Sequence, residues 1–95
     1  MQIFRTRLYK TQLINILKYI AKDKISASEH FHNELNEQIE DLIHFPKKCR
    51  QSFYSSDDNV RDMIYKKYTI QFKIYKHKIS ILKIFNQNKP SINSK

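Results

Sequence analysis

YTIQFKIYKHKISILKIF, residues 68–85, alternates apolar and polar side chains, and lysine fills many of the polar places. A period of two is the pattern of strands with two unlike faces. Ile70, Phe72 and Ile74 share one face, while Gln71, Lys73 and Tyr75 share the other. Lys76-His77 divides the stretch into two strands, 68–75 and 78–85. The second, ISILKIF, is apolar on both faces except at Ser80 and Lys83, which predicts a central place in the sheet. A third strand is expected just upstream at 60–66, with Lys66-Lys67 as the turn. The chain has no glycine, so any turn that needs a positive φ must take it on Asn, Asp, Lys or His at a steric cost.

Upstream, the period changes from two to about 3.6. Tyr9, Leu13, Ile16, Leu17 and Ile20 line one face of a helix, with Thr6 as its N-cap. Residues 1–5, MQIFR, read as a short first strand. In a second helix, Ala27, Phe31, Leu35, Ile39 and Leu42 recur every three or four residues. Ser26 and Glu29 fit a capping box at its start, and Pro46 ends it near Phe45. The short link between the helices implies an antiparallel hairpin. Residues 46–59 read as a loop, with Phe53 and Tyr54 expected to pin it to the core. The architecture is α+β, in the order β-α-α-β-β-β: a helical hairpin on one face of a small antiparallel sheet. Residues 1–87 form a single domain, and 88–95 are expected to be a disordered polar tail.

The net charge is +9, and it is unevenly placed. Residues 1–41 hold six basic and six acidic side chains, while residues 42–95 hold twelve basic and three acidic ones. The whole excess lies in the second part, which points to an acidic or nucleic-acid partner for it. The bland alternative is a solvated lysine-rich surface. Lysines 66, 67, 76 and 78 lie in or beside turns and suit simple solvation singly, but together they form a steering field. Aromatic rings interleave with these lysines, as half-buried sheet residues or as platforms for bases.

Several classes are excluded or made remote. Without glycine there is no phosphate loop and no dinucleotide fingerprint. His30 and His32 point to different helix faces, His77 lies in a turn, and no HExxH is present, so neither a metal nor a cofactor is expected. No apolar run is long enough to span a membrane or to serve as a secretory signal. The single cysteine, Cys49, has no internal partner, and a reducing cytoplasm is the simple location.

The order and spacing of four stretches carry a family resemblance. INILKYIAKD lies in the first helix and IEDLIHFP ends the second; VRDMIYKKYTIQFKI and ISILKIFNQNKP follow. The chain resembles the RelE/ParE superfamily of type II toxin–antitoxin toxins over nearly its whole length, with Arg61, Tyr68, the apolar run 79–84 and Pro90 on the matching positions. The ParE-like branch fits better. The ribosome-dependent ribonucleases usually carry an Arg where this chain has Thr69, and a basic pair where it has Asn86-Gln87-Asn88. The resemblance implies a growth-inhibiting, plasmid-stabilising toxin that binds DNA gyrase and is neutralised by an acidic cognate antitoxin. Arg61, Lys73, Lys83, Asn86 and Asn88 are the candidate contacts for target or antitoxin. The alternative is an mRNA endoribonuclease acting at the ribosome. Its cations would be Arg61, Lys66, Lys67, Lys73 and Lys83, and Tyr75 or His77 would move the proton. A third possibility is a non-toxic basic binding module.

Overall fold

In a computed structural model, residues 1–86 are described. The order is β1 (Gln2–Arg5), α1 (Arg7–Asp23), α2 (Ile25–Asp41), a 3-10 turn (Pro46–Lys48), β2 (Arg50–Gln51), β3 (Val60–Tyr65), β4 (Tyr68–Ile74) and β5 (Lys78–Asn86). The expected order of elements is present, with one addition: the loop contains the two-residue strand β2. The sheet order is β1-β5-β4-β3-β2. β2 to β5 pair antiparallel, but β1 runs parallel to β5, so the sheet is mixed. Two intervening helices carry the chain from β1 across the sheet, which is what allows a parallel return. β5 is interior, as its two apolar faces require, although the middle strand is β4. The expectations for Gln87, Asn88, Pro90 and the tail lie outside the described residues.

One layer of core joins the helices to the sheet. Tyr9 and Leu13 of α1, and Phe31, Leu35 and Ile39 of α2, pack on Met63, Ile70, Phe72, Ile79, Ile81 and Ile84. Phe31 meets Tyr65 and Tyr68 edge-on, with ring centroids 5.0 and 5.5 Å away.

Thr6 caps α1 as expected, its Oγ1 accepting from the Tyr9 amide at 3.0 Å. The same hydroxyl donates to the Leu82 carbonyl at 2.8 Å. The Gln12 amide oxygen accepts from the Ile84 N–H at 2.9 Å. The pairing of β4 with β5 shifts register between Gln71 and Phe72, leaving Leu82 as the extra residue. A bulge strips ladder partners from the backbone beside it, and here α1 supplies replacements.

The second helix begins earlier than its sequence suggests. It starts at Ile25, and Lys24, in extended conformation (φ −157°, ψ 118°), is the whole connection. The Lys24 N–H closes α1 on the Ile20 carbonyl, and the Lys24 carbonyl accepts from Ser28. Ser26 therefore lies inside the helix, not at its cap, and no side chain caps α2. Ser28 is buried and donates its hydroxyl to the Leu17 carbonyl at 2.8 Å, while Ala27 is exposed. A serine–carbonyl tie to α1 rotates the first turn away from the expected face. The helix also ends sooner, at Asp41, four residues short of Phe45.

Tyr9 is fully buried, and its hydroxyl has no hydrogen-bond partner among the described residues. Burial pushes its pKa up to about 12, opposed by the positive charge of Arg5. Between the ordinary value of 10 and that of the folded state, unfolding releases a proton that folding retains, so stability falls as pH rises through this window. Tyr9→Phe is expected to change stability at pH 7 by less than about 1 kcal/mol, since the nearby Arg5 guanidinium forms no well-aligned hydrogen bond to the hydroxyl. Its thermal midpoint should decline less from pH 9 to 11 than that of the parent. An unchanged alkaline slope would remove Tyr9 as the cause.

The turn between β3 and β4 puts Lys66 at φ 54°, in the left-handed region that a side chain makes costly. Lys66→Gly is expected to gain about 0.5–1 kcal/mol, or a few degrees in Tm. A lower Tm would mean that the Lys66–Tyr65 cation–ring contact, at 5.6 Å, outweighs the backbone term.

Candidate functional site

The two faces of the sheet have unlike chemistry. Helices cover one. On the other, strand alternation and register bring together Phe4 of β1, Lys78, Ser80, Lys83 and Phe85 of β5, and Thr69, Gln71 and Lys73 of β4, with Tyr75 just beyond. The Lys78 ammonium lies 5.0 Å from the centroids of both Phe4 and Tyr75. Lys73 is 5.2 Å from the Tyr75 ring, and Lys83 is 5.8 Å from that of Phe85. Tyr54 meets Phe85 edge-on at 5.1 Å. Cations and ring faces attract through the ring quadrupole.

Carboxylates on this side are already engaged. Asp57 pairs with Lys73 at 3.0 Å. The backbone N–H of Asn59, then Lys73, hold the Asp57 carboxyl below its usual range, and Asp57 raises the Lys73 pKa in return. Asp62 is fully buried; its Oδ2 accepts from the Phe53 N–H at 3.3 Å and lies 3.6 Å from Arg50, across the β2–β3 pair. Its Oδ1 has no partner among the described residues. Ser52, also buried, accepts from the Gln71 amide at 3.2 Å. This polar layer, not the two aromatic residues, pins the loop. Phe53 is 75% exposed beneath the Arg50 guanidinium, and Tyr54 is 54% exposed. The sequence showed the loop's rings but not that β2 would give its polar residues a strand to lie against.

Of the ribonuclease alternative, Lys73, Lys83 and Tyr75 share this face, but its other cations lie elsewhere. Arg61 shares the helix-side parity of Met63 and Tyr65. Its guanidinium donates to the carbonyls of Asp58 and Cys49 and pairs with the Asp58 carboxylate at 3.4 Å, leaving its side chain 14% exposed. Lys66 and Lys67 occupy the hairpin tip, at the opposite end of β4 from Lys73 and Tyr75. Six strand steps separate those ends, about 20 Å. Thr69 is wholly buried. His77 is exposed in the β4–β5 turn.

Asn86 belongs to a different place. It lines a groove of about 670 Å³ with Lys67, Gln12, Asn15, Ile16 and Tyr19, floored by Tyr68 and Ile84. Among the described residues no cluster of His, Cys, Asp or Glu is arranged to hold a metal, and no helix is long and apolar enough to cross a membrane. Phe4 was missed as a site residue. Only the parallel pairing of β1 with β5 brings it beside Lys78, and alternation within either strand carries no sign of it.

A family model for the ParE toxin of type II toxin–antitoxin systems, parDE, matches residues 3–90. The chain belongs to the ParE toxin family. No curated protein matches it. Among solved structures, a chain of the chromosomal ParDE toxin–antitoxin system from P. aeruginosa is similar in fold. Its TM-score is 0.73 at 19% identity, over 90% of this chain and 95% of that one. This ParE-family toxin therefore keeps the superfamily architecture with its helical hairpin on one sheet face and a basic, aromatic surface on the other.

Proposed function

We propose that this ParE-family toxin arrests growth by binding its target, of the DNA gyrase class, and not by cutting RNA. The observation that carries this reading is the partial dispersal of the expected ribonuclease cations, of which only Lys73 and Lys83 share a face. Arg61 is consumed by loop contacts, Lys66 and Lys67 lie about 20 Å along β4 from Lys73, and Thr69 is sealed. Phosphodiester cleavage needs charge and a proton-moving group gathered at one phosphate. Binding needs only a complementary surface, and Lys73 and Lys83 furnish one.

A cognate antitoxin would act in the cytoplasm on the same molecule. The groove beside α1, apolar at Ile16, Tyr19 and Ile84 and rimmed by the amides of Gln12, Asn15 and Asn86, suits an amphipathic helix. The free edge of β1 suits an added strand. An acidic antitoxin segment would complement the charge of the second part of the chain.

The test is induction from a tightly controlled promoter, with labelled thymidine and labelled amino acid followed over the first minutes. Thymidine incorporation is expected to fall first, with cells filamenting. Earlier collapse of amino-acid incorporation would replace this reading with the ribosome-dependent endoribonuclease. No effect on either would leave a non-toxic binding module.

A further inference from the structure

Thr69, Gln71 and Asp62 are buried on this sheet face, but the part around Phe4, Tyr75, Lys78 and Lys83 is accessible and has more chemistry than a protein-docking patch needs. Its lysines do not stand alone in solvent. Lys78 is shared between two rings, and Lys83 lies by a third. Phe4 is 47% exposed and Tyr75 42% exposed, large values for rings on a sheet. Neither Lys78 nor Lys83 pairs with a carboxylate among the described residues, and the carboxylates nearby are held by Lys73, Arg61 and Arg50. At Lys78 and Lys83 the face is thus positive, without a carboxylate partner among the described residues, and has ring faces beside the charges.

We infer that this face, centred on Phe4, Tyr75, Lys78 and Lys83, binds single-stranded nucleic acid. The proposal is independent of which protein the toxin targets. An acidic polypeptide would use the ammonium groups but leave the rings idle. A duplex hides its base faces in the stack. A single strand offers both partners together: phosphates for the lysines, and bases that can lie on exposed rings. A sheet is well suited to this, because alternate residues on neighbouring strands present rings and cations at strand spacing. On binding, Lys78 exchanges the rings of Phe4 and Tyr75 for phosphate, and the bases take the ring faces it leaves. No bond is made or broken.

The experiment is fluorescence anisotropy with a labelled twelve-residue oligothymidylate, titrated with the full chain from about 25 to 200 mM salt. Neutralising two phosphates, one at Lys78 and one at Lys83, predicts a slope of log Kobs on log salt of about −1.4. Lys78→Gln and Lys83→Gln should each make that slope shallower by about 0.7. Phe4→Leu and Tyr75→Leu should weaken binding about five-fold or more at fixed salt while leaving the slope unchanged, which is the mark of stacking without charge. Lys22→Gln, on α1 away from the sheet, should alter neither. Unchanged melting temperatures identify the effects as local to the face.

Three results would overturn the proposal. One is no binding at the lowest salt. Another is equal affinity for polyglutamate of the same length, which would make the face a site for acidic protein. The third is full affinity in both ring variants, or loss in Lys22→Gln equal to that in Lys78→Gln, which would reduce binding to diffuse charge.

Discussion

Phe72→Ala is expected to cost 3–5 kcal/mol, the range for emptying a buried phenylalanine site. Phe72 is fully buried in β4, opposite Arg61 on one side and Ile81 on the other, within the cluster that joins the sheet to both helices. The register shift beside it and the two side chains of α1 that repair the bulge leave little freedom to collapse around a void. A domain of this size holds only about 5–15 kcal/mol in total, so the variant should be largely unfolded in mild urea. Urea denaturation followed by circular dichroism reads this as a fall in midpoint of about 2 M or more. A loss below about 1 kcal/mol would show that the site relaxes and that Phe72 is not central to the core.

Asp62→Ala should be the next most harmful change, for a different reason. The carboxylate is fully buried, so it resists folding unless partnered. The Phe53 N–H and Arg50 are those partners. Removing the carboxylate abolishes one desolvated charge but strands a backbone N–H and a guanidinium. Arg50 is partly exposed and can rehydrate, so the expected loss is about 1–3 kcal/mol, below the full penalty for splitting a buried pair. The damage should be local. Amide exchange at Ser52 and Phe53 should rise before that of β4, and proteases should cut between residues 49 and 59. Asp62→Asn keeps an acceptor for Phe53 without the charge and should fall between the two. If Asp62→Ala melts at the parent's temperature with the loop still protected, Asp62 is not the latch.

Much of the fold was legible because its periods are clean. Three β-rich runs and two apolar helix stripes, in order, leave few ways to make a layer of core, and the observed strands β3 to β5 agree with the expected ones to within one residue. What could not be read depends on contacts distant in sequence. The parallel sense of β1 follows from where α1 and α2 deposit the chain. Strand β2 has only two residues and no periodicity of its own. Ser26-Ala27-Ser28-Glu29 satisfies the local rule for a cap, yet the tie from Ser28 to Leu17 overrides it. The same holds at the surface. The lysines were visible as a charge bias, but their assembly into a ring-lined face required Phe4 to arrive from the other end of the chain.

That parallel strand also bears on how the protein comes into being. The contacts that seat β1 and the start of α1 reach 76 residues ahead, from Thr6 to Leu82. Closures of this span are slow, since the chain must find them before local structure rewards the search. During synthesis, β1 and α1 emerge from the ribosome well before β5 exists to receive them. The helical hairpin can form early, but Phe4 meets Lys78 only when the last strand docks. A nascent or prematurely ended chain therefore has the lysines of its later strands without the ring that β1 brings to Lys78.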